Sequence, residues 1–422
     1  MLDSGTYTFK RFDYVYMFVL IIYMGQATPE TSRMVGDISG NPIPFLIPIL
    51  LTFILWTKHP ISLSDKKLWS IIGIYGIWAV LSLYKYRIFT TAELSFHFFM
   101  IYAIIVAYIQ DAIYGRRLLP LFEQVMVWFC KATLILWLAY QILPPARDIM
   151  SLFPPTPKGT NVLYIYQSNS NSLRNSGCAW EPGRYAIMVV LSIFCNLCEN
   201  GIKFRGNKKI WWMLASLATT MSTTGFSVTL VLYGLFFLRK INFRSVMVFI
   251  VVMVPTVYGI SQLDFMGDKI TTKLQEAQNT DRFYEGFAWY RYNMQKDRYV
   301  ASLDRFDATV FEYLNLKEDP ILGYSRNFKH SYFYTHLSTN HVLATGFMKV
   351  FGMYGIFMGA FFYYILYKSS KKISTEYQLN QSWGLFVTIC LLSISYQILS
   401  IPIFTAFWFY GLFSPSENSQ QD

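Results

Sequence analysis

Charge is scarce in this 422-residue chain: only 14% of its residues are Asp, Glu, Lys or Arg, against about 25% in an ordinary soluble domain. So little polar surface cannot face water all round. Several chemical signatures are also missing. The sequence has no P-loop, no Rossmann glycine fingerprint, no HExxH and no Asp-x-Asp. A nucleotide-powered pump and a cytoplasmic nucleotide-sugar enzyme are therefore poorly supported, and no cofactor or metal is called for. Cysteines number five. Only Cys178 falls in a loop expected outside, so no disulfide framework is expected. Cys195 and Cys198 have CxxC spacing but lie in an apolar run without further ligands, as core cysteines would. The first apolar run follows Lys10 and Arg11 and is not followed by a small-residue cleavage site, so no cleavable signal peptide is expected.

What the chain does have is apolar length. Hydrophobic residues make up 54% and aromatics 18%, and mean hydropathy is +0.31. A bilayer core takes about 20 apolar residues as helix. Runs of suitable character cover 13–24, 42–57, 68–84, 94–110, 121–143, 184–199, 210–222, 225–238, 245–261, 342–367, 383–399 and 401–413. The expectation is an all-α polytopic transmembrane bundle of about twelve spans, forming a single integral membrane domain over 1–422. The stretch 210–238 is one run interrupted by Ser222-Thr223-Thr224-Gly225. It reads as two helices and a tight turn, or as one tilted helix that would invert everything after it. A further split, at Pro402, divides the last long run.

The net charge of +11 would suggest nucleic acid in a soluble protein. Here the basic residues sit in short connections: Lys58, Lys66 and Lys67; Arg116 and Arg117; Lys203, Arg205, Lys208 and Lys209; Arg239, Lys240 and Arg244; Lys368, Lys371 and Lys372. Acids in these connections are few. That is the positive-inside pattern. It argues for two helices in 210–238 and both termini inside, and against a nucleic-acid partner. Two long connections fall on the opposite face, 144–183 and 262–341. The second intersperses aromatics (Phe283, Tyr284, Phe287, Trp289) among balanced charges, as expected of surface helices capping a cavity.

The segment Leu173-Arg174-Asn175-Ser176-Gly177-Cys178-Ala179-Trp180-Glu181-Pro182-Gly183-Arg184 closes the first long loop and opens a span. Pro182 suits the first turn of a helix. Glu181 would lie at its N-terminus, where the dipole favours a carboxylate. A helix cap with a solvated arginine is the plain alternative. The spacing Arg-x-x-Gly-x-x-x-Glu-Pro-Gly before a span resembles the hallmark of the O-antigen polymerase and ligase superfamily. Thr220-Met221-Ser222-Thr223-Thr224-Gly225 resembles that family's Ser/Thr-rich turn. Arg305 followed by Asp319-Pro320-Ile321-Leu322-Gly323-Tyr324 resembles its large-loop pattern. Ser338-Thr339-Asn340-His341 with Gly352-Met353-Tyr354-Gly355 resembles the start of the next span. Together these cover about the C-terminal 60% of the chain. One departure is Ser325, which stands where a second glycine is common and would alter the bend there.

The resemblance implies glycan transfer from an undecaprenyl-pyrophosphate-linked oligosaccharide on the outer face of a bacterial inner membrane. Membrane lipids would surround the protein, and a separate chain-length regulator would be a partner. The leaving pyrophosphate gains negative charge as the glycosidic bond breaks. A guanidinium forks onto two phosphate oxygens and stays charged, so arginines in a partly dry cavity would serve without a metal. On this expectation Arg174 and Arg305 meet the pyrophosphate, and either Glu181 or His341 activates the acceptor hydroxyl. Arg282, Arg326 and Tyr324 are further substrate-binding candidates. Lys131 lies inside a span, where a charge costs roughly 3 kcal/mol or more. It would face a phosphate or snorkel. A polymerase of lipid-linked repeats is the leading reading. A ligase moving finished chains onto lipid A-core would share the donor, with His330, His336 and His341 consistent with it. A transporter would predict paired intramembrane charges and repeated halves, and neither is found.

Overall fold

A computed structural model describes residues 9–25, 43–87, 91–151, 164, 173–237, 305–325, 330–332, 335, 345–399 and 401–413. Every regular element among the described residues is helical. In chain order they are α1 (Arg11–Gly25), α2 (Ile43–Lys58), α3 (Lys66–Tyr86), α4 (Thr91–Tyr114), a 3₁₀ turn at Gly115–Arg117, α5 (Leu118–Ile142), α6 (Pro144–Ser151), α7 (Pro182–Asn200), α8 (Lys208–Thr220), α9 (Thr223–Phe237), α10 (Arg305–Glu318), α11 (Phe347–Glu376), α12 (Gly384–Ser393) and α13 (Pro402–Trp408).

The helix ends follow local chemistry. Asp65 caps α3 by accepting from the Lys67 and Leu68 backbone N–H groups at 2.6 and 3.3 Å. Asn207 caps α8, its side-chain oxygen accepting from Ile210 N at 3.3 Å. Pro182 and Pro402 each open a helix, where a missing N–H costs nothing. Helix α8 stops at Met221, which takes φ 48°, and α9 starts at Thr223. The stretch 210–238 is therefore two helices rather than one tilted one.

Three stretches are long and apolar enough to cross a membrane: Lys66–Tyr86 with 21 residues, Phe96–Ile142 with 47, and Phe347–Glu376 with 30. They mark a membrane-associated all-helical protein. The expected count of about twelve spans is not supported, and the reason is length. Helices α1, α2, α8 and α9 have 15, 16, 13 and 15 residues. At 1.5 Å per residue, α8 reaches only about 20 Å, short of the roughly 30 Å hydrocarbon core. The expected span 245–261 lies outside the described residues.

The chain divides into two compact units, Met1–Thr229 with Phe362–Leu392 and Ile398–Asp422, and Leu230–Phe361 with Ser393–Gln397. In the first, α7 is buried on all sides from Tyr185 to Cys198. It packs with α5 and α8, as a helix apolar all round must. Its buried polar groups are paired: Asn196 donates to Glu123 Oε1 at 2.5 Å, and Glu123 takes an ion pair from Lys209 at 2.5 Å. The short α13 packs on α4 and α1, and the Trp408 indole donates to Phe362 O at 2.7 Å. In the second unit, α10 buries Ala308, Phe311, Glu312 and Asn315 on one face.

Candidate functional site

In the first unit the Arg174–Glu181 segment is tied to the turn between α8 and α9. Asn175 N donates to Thr219 O at 2.8 Å, and its side-chain amide donates to Thr219 Oγ1 at 3.0 Å. The half-buried Arg174 guanidinium donates from Nε to Thr220 O at 3.0 Å and from Nη2 to Met221 O at 3.2 Å. It thereby caps carbonyls that the end of α8 leaves without helical partners.

The same segment folds on itself and on α1. Gly177 takes φ +52° with the Tyr185 ring where a side chain would go. Its N–H donates to Asn175 Oδ1 at 2.8 Å. Trp180 N donates to Gly25 O at 3.1 Å, and Gly25 lets the Cys178 carbonyl lie against α1. Cys178 is buried, and burial pushes its thiol well above the ordinary range. Glu181 is the residue before Pro182 and caps α7 through its backbone only, with no side-chain bond to the helix N–H groups. Its half-buried carboxylate stands beside the positive end of the α7 dipole, near Arg184. Trp180, 49% exposed, lies next to it. One short stretch thus carries a guanidinium, a carboxylate and an exposed indole.

In the second unit two further motifs are joined. Helix α11 is broken at Gly355 (φ 75°, ψ 175°), and the strap 319–325 fills the break. Tyr324 N donates to Gly352 O and Ser325 N to Met353 O, both at 3.0 Å, while Ile356 N donates to Pro320 O at 2.8 Å. The backbone groups released by the break are thus taken up by the strap. Below it lies Glu312, fully buried. Tyr324 donates its hydroxyl to Oε1 at 3.1 Å, and Asn315 donates to Oε2 at 2.9 Å. Burial raises the Glu312 carboxyl above its ordinary range, opposed by Lys349 and by these two hydrogen bonds. Gly352 has no side chain to collide with that carboxylate.

Arg174 and Glu181 lie in one segment of the first unit. Tyr324 is 94% buried by its 6% exposure, with its hydroxyl on Glu312. Arg305 is the first residue of α10 in the second unit. Lys131 is on the exposed side of α5, its ammonium 5.7 Å from the Trp212 ring centroid. Arg282, Arg326, His336 and His341 lie outside the described residues. Sequence reading missed Glu312 and Asn315. The signal was there: an acid and an amide at i and i+3 share the apolar helix face of Ala308 and Phe311. Ser325 takes φ +58°, the left-handed conformation that a glycine adopts at no steric cost.

Compared with protein-family models, curated proteins and solved structures, the chain matches none.

Proposed function

We propose that this protein joins oligosaccharide repeats carried on undecaprenyl pyrophosphate into a longer chain. It would do so as a multi-pass protein of a bacterial inner membrane, with its termini inside and the reacting groups on the outer face. The observation that carries the reading is the union of Arg174 and Asn175 with Thr219–Met221. These motifs are far apart in sequence, and each was picked out by the same resemblance. A second union, of 319–325 with 352–356, has the same character.

In this mechanism the pyrophosphate of the donor lies against Arg174 and Arg305, whose charge stabilises the leaving group as the anomeric bond breaks. Glu181 or His341 takes the acceptor proton. No metal or nucleotide enters. The test is elongation in vitro: purified protein, a defined lipid-linked repeat, and gel analysis of the product. A ladder of added repeats is the expected result. If the wild-type protein forms no glycosidic bond but moves the labelled lipid across a vesicle membrane, the reading fails in favour of a flippase. Transfer of one preformed chain to a lipid A-core acceptor, without elongation, would assign the ligase instead.

A further inference from the structure

The turn between α7 and α8, in the first unit, carries Lys203 and Arg205 and ends on Lys208, the first residue of α8. All three are exposed, and among the described residues none of their side chains has a hydrogen bond, an ion pair or an aromatic contact. The other charges nearby are matched with one another. Lys209 pairs with the buried Glu123. Between 182 and 220 the sequence has a single acid, Glu199, and its charge is set against Lys209 and Arg116. Three cations are therefore left over on one short turn.

Aromatic side chains flank them. Trp211 and Trp212, at the start of α8, are 57% and 40% exposed. Phe204, 39% exposed, holds its ring 5.6 Å from that of Trp211. Indoles beside basic groups at the end of an apolar helix belong at the headgroup level of a bilayer. An excess of cations in a connection needs no such aromatics to orient a chain, so their presence points to a surface that meets lipid.

Lys131 supports the same level. Glu123 is tied to Lys209 at the start of α8, and Lys131 lies farther along α5 by about 12 Å of helix rise. A helical side chain leans back toward its own helix N-terminus, so the Lys131 stem runs toward the turn, and its ammonium comes to 5.7 Å from the Trp212 ring centroid. This cation is spent on the indole and is not asked to hold a phosphate. It explains a charge inside α5 as one that snorkels to the interface marked by Trp212.

We propose that the α7–α8 turn seats an anionic phospholipid of the leaflet it faces, with Lys203, Arg205 and Lys208 on the phosphodiester and the acyl chains along Trp211 and Trp212. The site requires only that the protein sits in a bilayer, and it is independent of the glycan chemistry.

Tryptophan quenching in vesicles tests this. The full-length protein is reconstituted in dioleoylphosphatidylcholine containing either phosphatidylglycerol or phosphatidylcholine with dibrominated acyl chains. The part of the quenching that Trp211→Phe/Trp212→Phe removes reports on this surface. Each basic group near an anionic headgroup contributes about fivefold in affinity, so three contribute roughly 100-fold. Brominated phosphatidylglycerol should half-saturate that signal at a mole fraction lower by this order than brominated phosphatidylcholine. Lys203→Gln/Arg205→Gln/Lys208→Gln, which leaves the Asn207 cap and the Lys209 pair in place, should remove the difference. Lys371→Gln, an exposed cation of another connection, should leave it unchanged. High salt should weaken it in the wild-type protein, a reading that needs no variant to fold. Equal half-saturation by the two lipids overturns the proposal, and so does a preference that survives the triple substitution or high salt. Displacement of the brominated lipid by soluble glycerol phosphate or by polyglutamate would also overturn it, by making the turn a site for free phosphate or for an acidic protein.

Discussion

Ser325 is the residue whose chemistry fits its place least. It holds φ +58°, a conformation that costs an L-residue about 1–2 kcal/mol. It is also buried, with no hydrogen-bond partner for its Oγ among the described residues, a further cost of about 1–3 kcal/mol. Glycine at this position would shed both and lose only about 0.5–1 kcal/mol in chain entropy. Ser325→Gly should therefore stabilise the protein by about 1 kcal/mol or more, read as a higher Tm in detergent. A lowered Tm would mean that the hydroxyl is needed. Glu312 gives a prediction with a sign. Its carboxyl is raised above 4.5 in the fold by burial. Between that ordinary value and the raised one, the native state holds a proton that the unfolded chain has lost, so stability falls as pH rises through this window. The contribution is complete below the ordinary value and is lost above the raised one. Melting of wild type and Glu312→Gln between about pH 5 and about pH 8 should show the wild type losing more stability; parallel curves would refute the assignment.

At the level of elements, two helix ends and one helix break organise both motif unions. The end of α8 presents the Thr220 and Met221 carbonyls, and Arg174 caps them. Hydrogen bonds from a charged donor are worth about 1.5–3 kcal/mol. Arg174→Lys keeps the charge but loses the planar fork, so it should lower Tm and remove the product ladder together. A lowered Tm with a normal ladder would confine Arg174 to holding the turn. Much of this was legible beforehand. The helix boundaries at Pro182 and Pro402 follow from proline's missing N–H, and the break after Thr220 from a Ser/Thr-rich run inside apolar sequence. What could not be read was pairing. Nothing in Asp319–Ser325 says that its N–H groups will fill a break in α11 at Gly355, because such bonds depend on tertiary approach and leave no periodicity. Glu312 was missed for a related reason: the mixed charges around it hide the apolar face on which it lies. The span count failed because hydropathy marks where helices are but says little of helices too short to cross.

For the whole molecule, the decisive question is which residues share a face of the membrane. The proposed chemistry needs the Arg174 segment and the α10 region on the same outer side, and the basic connection at Lys203–Lys209 on the other. Cysteine labelling answers this, because the background is low. Cys130, Cys178, Cys195 and Cys198 are buried, and Cys390 is half-buried. Leu173 is 60% exposed beside Arg174, and Tyr313 is 54% exposed on α10. Neither is assigned a role in catalysis, so Leu173→Cys and Tyr313→Cys should leave the activity intact. In intact spheroplasts a membrane-impermeant maleimide should label both. Lys203→Cys, in the exposed turn between α7 and α8, should react only after permeabilisation. Labelling of Leu173→Cys without Tyr313→Cys, or the reverse, would put the two arginine-bearing regions on opposite sides of the bilayer. No single pyrophosphate could then meet Arg174 and Arg305, and the polymerase reading would fall however well each motif union is built.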